Sequence, residues 1–189
     1  MQAVSDEQLI QWVAAGDSSC LGTLFERHHR SVYRYCLQMT RQRALSEDLV
    51  QDVFLRMLRK AGSYRGDGSF KAWMFNIARN VTVDHTRRAR RYADPGDALD
   101  AVPDSLIDSR SAEQAAAGTE SMQRLVEALA ALPDAVREVI WLGRFEFANY
   151  DELGVALDCS AGTARVRMHR AMKQLNQSFQ KLNGAPIDV

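Results

Sequence analysis

Two stretches of this chain concentrate groups that hold phosphates and stack on bases. Between Arg79 and Arg91 five arginines stand against one acid, Asp84, and the stretch is entered through Phe70, Trp73 and Phe75. Guanidinium groups neutralise backbone phosphates and aromatic faces receive unstacked bases, so this composition suits a strand held by charge at one end and by rings at the other. Within it, Tyr64, Phe75 and Asn80 form the set suited to a flipped base, an aromatic wall beside an amide that reads a base edge. Trp73 and Ile77, four residues apart, are assigned to the core. The second stretch carries Arg165, Arg167, Arg170, Lys173 and Lys181, with His169 among them, and holds no acid from Cys159 through Ile187. The segment before it, 121–158, has seven acids and three bases. That partition is expected of a helix pair in which only the second helix approaches DNA.

Other chemistries find little support. The chain has no Walker A loop, no G-x-S-x-G and no H-E-x-x-H, so no enzyme activity and no cofactor is expected. His28 and His29 are adjacent and would project roughly 100° apart on a helix, a poor metal pair. Glu47, Asp48 and Asp52 are assigned to a charged outer face rather than to a metal site, and no metal is expected. Cys20, Cys36 and Cys159 are an odd number without a C-x-x-C pair, consistent with reduced, buried thiols.

The elements that position these groups follow from charge and periodicity. The 189 residues carry 24 Lys and Arg against 24 Asp and Glu, which excludes a uniformly basic nucleic-acid binder. Residues 1–92 hold 15 bases and 9 acids, residues 93–120 hold 1 and 7, and residues 121–189 hold 8 and 8. The acidic middle, with Pro95 and Pro103 and little apolar periodicity, is expected to be a flexible linker. Both flanking lobes read as helical, giving an all-α chain of two small domains. In the first, helices are expected over about 5–15, 17–40, 46–59 and 69–90. The third of these buries Leu49, Val53, Phe54, Met57 and Leu58 and leaves Glu47, Asp48, Gln51, Asp52 and Arg56 outward. In the second lobe they are expected over about 112–131, 133–143, 149–157 and 160–182, with the turn Asp158-Cys159-Ser160 making the last two a helix-turn-helix. On the last helix Val166, Ala171 and Leu175 are assigned to the packed face, with Arg165, His169 and Arg170 directed into a major groove. No stretch reaches the roughly 20 apolar residues of a membrane span, and the N-terminus lacks a signal-peptide pattern. A cytoplasmic protein without membrane insertion is expected.

Taken together, two segments resemble the extracytoplasmic-function (ECF) sigma factors of bacterial RNA polymerase. Leu45-Ser46-Glu47-Asp48-Leu49-Val50-Gln51-Asp52-Val53-Phe54 and the helix with Trp73, Ile77-Ala78-Arg79-Asn80, Asp84 and Arg87-Arg88 are similar to sigma region 2. Ala131-Leu132-Pro133, Arg137-Glu138-Val139, Tyr150-Asp151-Glu152-Leu153-Gly154 and Gly162 through Ala171 are similar to region 4. The resemblance implies a region 2 bundle over 1–92, the linker over 93–120 and a region 4 helix-turn-helix over 121–183. It further implies that Asp48, Gln51 and Asp52 dock on the clamp helices of the largest polymerase subunit, with region 4 on the flap of the second-largest. Tyr64, Phe75, Arg79, Asn80, Arg87 and Arg88 would serve the −10 element of promoter DNA. Arg165, Arg167, His169, Arg170 and Lys173 would serve the −35 element. Many family members have Asp-Ala-Glu-Asp where this chain has Leu45-Ser46-Glu47-Asp48, which makes Ser46 a candidate phosphorylation site that would restore charge at a helix N-terminus. An anti-sigma factor or a kinase is the implied controlling partner. The competing reading is a stand-alone helix-turn-helix regulator that binds DNA without polymerase; a protein-docking adaptor is the other.

Overall fold

The computed structural model describes residues 4–66, 68–92 and 120–182, and among them the regular elements are helical. The expected linker lies outside the described residues, apart from Glu120.

The first lobe is a four-helix unit. Helix α1, Asp6–Ala14, starts with a capping box in which the Ser5 hydroxyl accepts from the Gln8 amide and the Gln8 side chain accepts from the Ser5 amide. Leu9, Ile10 and Val13 form its buried stripe. Asp6 fastens it to the next helix, with 2.6 Å contacts to both Arg27 and His28. Helix α2, Cys20–Thr40, ends on Arg41 in the left-handed conformation (φ 58°), whose amide donates to the Leu37 carbonyl. That cap reverses the chain within two residues, so α3, Arg43–Lys60, begins three residues earlier than expected. Leu24, Val32, Tyr35 and Cys36 of α2 and Leu49, Val50, Val53, Phe54 and Met57 of α3 are buried. Each large apolar side chain so buried contributes about 1.5–3 kcal/mol before the entropy of ordering it. The cysteines are free thiols, of which Cys36 is buried as expected while Cys20 and Cys159 are only partly covered.

After a 3-10 turn at Ala61–Ser63, helix α4 runs from Phe70 to Tyr92. Its buried residues Phe70, Ala72, Met74, Phe75, Ile77, Ala78 and Val81 exceed a single stripe, because α4 packs on α2 and α3 on one side and on the second lobe on the other.

In the second lobe α5 spans Glu120–Ala130, α6 Asp134–Trp141, α7 Tyr150–Ala156 and α8 Ala161–Leu182. Pro133 is the residue before α6, with ψ 145°, one position earlier than expected. The helix does not stop at Gly143 but widens into a π-type turn, Leu142–Glu146. Asn149 caps α7 by accepting from the Glu152 amide at 2.8 Å, and Ser160 caps α8 by accepting from the Thr163 amide at 3.2 Å. Between them Asp158 takes φ 53°, and Gly154 lets the turn close: a Cβ there would lie 2.7 Å from the Cys159 carbonyl oxygen. This is the expected helix-turn-helix.

Candidate nucleic-acid interface

On α3 the periodicity places Glu47, Asp48, Gln51 and Asp52 on the exposed side, and all four are exposed. Leu58 was expected inside but is 39% exposed; it lies beside Leu55, so the acidic face ends in an apolar patch. Ser46 is a correction of larger consequence. Because α3 starts at Arg43, Ser46 lies inside the helix rather than at its N-terminus, on the face of Leu49, Val50 and Val53, at 0% exposure. Its hydroxyl donates to the Gln42 carbonyl at 2.6 Å and contacts the Thr40 hydroxyl at 2.9 Å. A side chain enclosed in this way offers no access to a kinase, and a phosphate there would have to be buried without counter-charge. The phosphorylation reading of Ser46 is therefore set aside.

On α4 the expected base-capture set is divided. Phase, not residue type, decides this. Phe75 is fully buried between two edge-on rings, Tyr35 of α2 and Phe147 of the second lobe, each centroid 5.7 Å away. It is core, contrary to the expected aromatic wall. Tyr64 is half-buried against Trp73 (5.5 Å) and donates its hydroxyl to the Gly68 carbonyl at 2.7 Å. Asn80 donates to the Asn76 side chain at 3.2 Å, and Asn76 donates to the Val155 carbonyl of α7 at 3.1 Å. Arg79 points across to the second lobe, where its Nε lies 3.2 Å from the Glu138 carboxylate. Arg87 and Arg88 are exposed.

Glu138 was absent from the sequence-derived set, as were Lys71, Asn76 and Glu146. These residues make the seam between the lobes. The buried Glu138 accepts from the Tyr35 hydroxyl at 2.6 Å while pairing with Arg79. Burial, and then the neighbouring carboxylate, push the Tyr35 hydroxyl well above the usual tyrosine range, so it remains a donor. Lys71 reaches both the carboxylate of Glu146 (2.8 Å) and its carbonyl (2.9 Å), with the Glu146 side chain 2% exposed. Arg41 donates to the Ala130 carbonyl at 2.8 Å. A signal for Glu138 existed, since it occupies an inward phase of a short helix otherwise buried through Val139 and Ile140; its partner was not legible.

The seam is polar. Among the described residues, the buried atoms Gln38 Oε1, Arg137 Nε and Trp141 Nε1 have no hydrogen-bond partner. Burial, and then the nearby Arg41 charge, lower the Arg137 pKa.

Helix α8 is arranged differently. Ala164, Met168, Ala171 and Leu175 form its buried stripe. At roughly 100° per residue, the line through Val166, His169, Arg170 and Lys173 lies about 180° from that stripe, with Arg165 and Arg167 on the two shoulders. All six are exposed. Val166, expected in the packed face, is 48% exposed on the crest; Met168 and Ala164 take the inward positions. The Arg165 guanidinium lies 5.3 Å from the Tyr150 ring centroid, held toward the start of α7. Among the described residues no group of three His, Cys, Asp or Glu side chains is placed to hold a metal ion, and no helix is long and apolar enough to cross a membrane.

Comparison with known proteins matches this division. The sigma-70 region 2 family model covers residues 24–92, and the sigma-70 region 4 model covers residues 122–175. RNA polymerase sigma factor CarQ of Myxococcus xanthus is 32% identical over 171 residues, 88% of this chain and 93% of that protein. The ECF RNA polymerase sigma-E factor of Escherichia coli K12 is 25% identical over 188 residues, 96% and 97% of the two chains. Among solved structures, the sigma factor RpoE in complex with the anti-sigma factor NepR from Bartonella quintana shares the fold, with TM-score 0.65 and 23% identity over 89% of this chain and 98% of that one. With both conserved regions present in order, on a four-helix lobe followed by a helix-turn-helix, the chain belongs to the sigma-70 family as an ECF sigma factor of RNA polymerase that acts in transcription initiation.

Proposed function

We propose the following division of labour over the lobes, taken as 1–92 and 121–183 on either side of a linker. The exposed α3 face of Asp48, Gln51 and Asp52, extended by Leu55 and Leu58, docks on the clamp helices of the largest polymerase subunit. The second lobe seats on the flap of the second-largest subunit and lays α8 along the −35 element. The observation that carries this reading is the opposition on α8 of a buried apolar stripe and an exposed cationic crest, the geometry of a helix packed on its scaffold and open to a groove.

Helix α4, through Arg79, Asn80, Arg87 and Arg88, and Tyr64 in the loop before it serve the −10 element. Here the seam matters. Arg79 is paired with Glu138 and Asn80 is tied through Asn76 to Val155, so these residues reach DNA only after the lobes part. Polymerase, by holding the lobes on separate subunits, supplies that separation. Base capture then offsets the few kcal/mol cost of unstacking, and opening proceeds without a catalytic residue. A partner of the anti-sigma class, like the NepR bound to RpoE of Bartonella quintana, would act by keeping these surfaces covered. The protein works in the cytoplasm, with polymerase and promoter.

Transcription reconstituted from purified core polymerase, with and without this chain, over a genomic fragment library tests the proposal. Promoter-specific transcripts should appear only when both are present. Absence of such transcripts, or tight promoter binding by the chain alone, would favour the stand-alone regulator instead.

A further inference from the structure

The crest of α8 carries one residue that charge does not explain. Val166 stands half-exposed between Arg165 and Arg167, on the same line as His169, Arg170 and Lys173 and opposite the buried stripe. Its two methyls are unused by the core, because Ala164 and Met168 fill the adjacent inward positions. Arg165, on the shoulder beside it, lies against the Tyr150 ring, and the side chain on the N-terminal third of the crest is Val166 rather than a cation. The N-terminal residues of a recognition helix are those that meet base edges. A β-branched side chain there is stiff, with one dominant rotamer in a helix, and offers neither donor nor acceptor. In the major groove the thymine C5-methyl group is the apolar feature of the base-pair code.

We infer that Val166 is a specificity-determining residue that packs on the C5-methyl of a thymine in the −35 element, while Arg170 and Lys173 hold the neighbouring groups of the groove. The inference rests on the reading of α8 as the −35 helix and sharpens it to one base type. Phosphate contacts from the shoulders set affinity, and the valine makes one position of the element methyl-dependent.

The test uses the reconstituted holoenzyme on a promoter obtained from the fragment library. Each thymine of its −35 element, on either strand, is replaced singly by deoxyuridine, which removes only the methyl group. At one position the replacement should weaken holoenzyme binding and transcription roughly fourfold, the scale of one buried methyl group. The same replacement should have no effect on holoenzyme carrying Val166→Ala, a surface change that leaves the fold intact. Insensitivity at every thymine, or a methyl effect that persists in Val166→Ala, would overturn the inference. Scrambling the whole −35 element is the separate control. If that leaves promoter use unchanged, the assignment of α8 to the −35 element fails, not merely the role of Val166.

Discussion

Helices α4 and α8 are both cationic and the proposed function gives both to DNA, yet the molecule treats them in opposite ways. Helix α8 keeps its basic face bare, with six crest and shoulder positions open and only Arg165 among them engaged, on the face of Tyr150. Helix α4 is enclosed on two sides and spends Arg79, Lys71 and Asn76 on the other lobe. The Glu138 carboxylate occupies at Arg79 the place that the proposed function gives to DNA. In the proposed function one reading surface is thus preassembled and the other held in reserve, which fits a factor that should not open DNA before polymerase is present.

This contrast can be broken or sharpened by experiment. The largest effect is expected at Ser46, where burial replaces the exposure a surface reading would require. Ser46→Glu should destabilise the protein by about 3 kcal/mol or more, seen as a lower urea midpoint, because an unpaired charge enters a closed site. Unchanged stability would mean that this turn of α3 is open.

At the seam, Glu138→Ala strands the Tyr35 hydroxyl and frees Arg79, a cost of about 1–3 kcal/mol to the closed arrangement. X-ray scattering from the free protein should show a larger radius of gyration, and non-specific DNA affinity should rise as α4 is uncovered. If both stay constant, Glu138 does not hold the lobes together.

Alkaline pH probes the buried core of the first lobe. Burial pushes the Cys36 thiol up to about 12 from 9, and Tyr35 is raised in the same direction. Both groups are protonated in the folded protein at pH values where the unfolded chain has lost the proton. Their contribution is complete below about pH 9 and is lost as pH climbs toward 12, at about 1.4 kcal/mol per pH unit for each group that titrates only when unfolded. Urea unfolding across that range should show the decline, reduced in Cys36→Ala, and Cys36 should resist alkylation in the native state.

The smallest stability effects belong to the bare helix. Arg167→Ala and Arg170→Ala should leave the unfolding free energy measured in urea within about 0.5 kcal/mol. Each should weaken holoenzyme binding to promoter DNA and lower its salt dependence by about one ion for every phosphate the variant no longer neutralises. A large stability loss from either would show that α8 is not free.

The all-α class, the acidic midsection, the two lobes and the helix-turn-helix were legible because each depends on local information: apolar period, caps at Ser5, Asn149 and Ser160, and composition. The α3 outer face was legible for the same reason. Errors arose where a few residues of phase decide the outcome. A left-handed cap at Arg41 starts α3 at Arg43 and so places Ser46 inside the helix rather than at its capping end, and Val166 and Met168 differ by two positions on α8, about 200° of rotation. Phe75 was misplaced because its second wall, Phe147, is 72 residues away in sequence and no local pattern announces it.

The sequence by itself determined the kinds of helices this protein makes, the charge each carries and the family they compose, because periodicity and motif spacing are properties of neighbours along the chain. Only the tertiary structure decided which of those charges are available. Pairing of Arg79 with Glu138 and of Lys71 with Glu146, and the burial of Phe75 between two lobes, join residues 59 to 75 positions apart. Such contacts arise from the packing of whole faces, and a chain read in order holds the faces but not their partners.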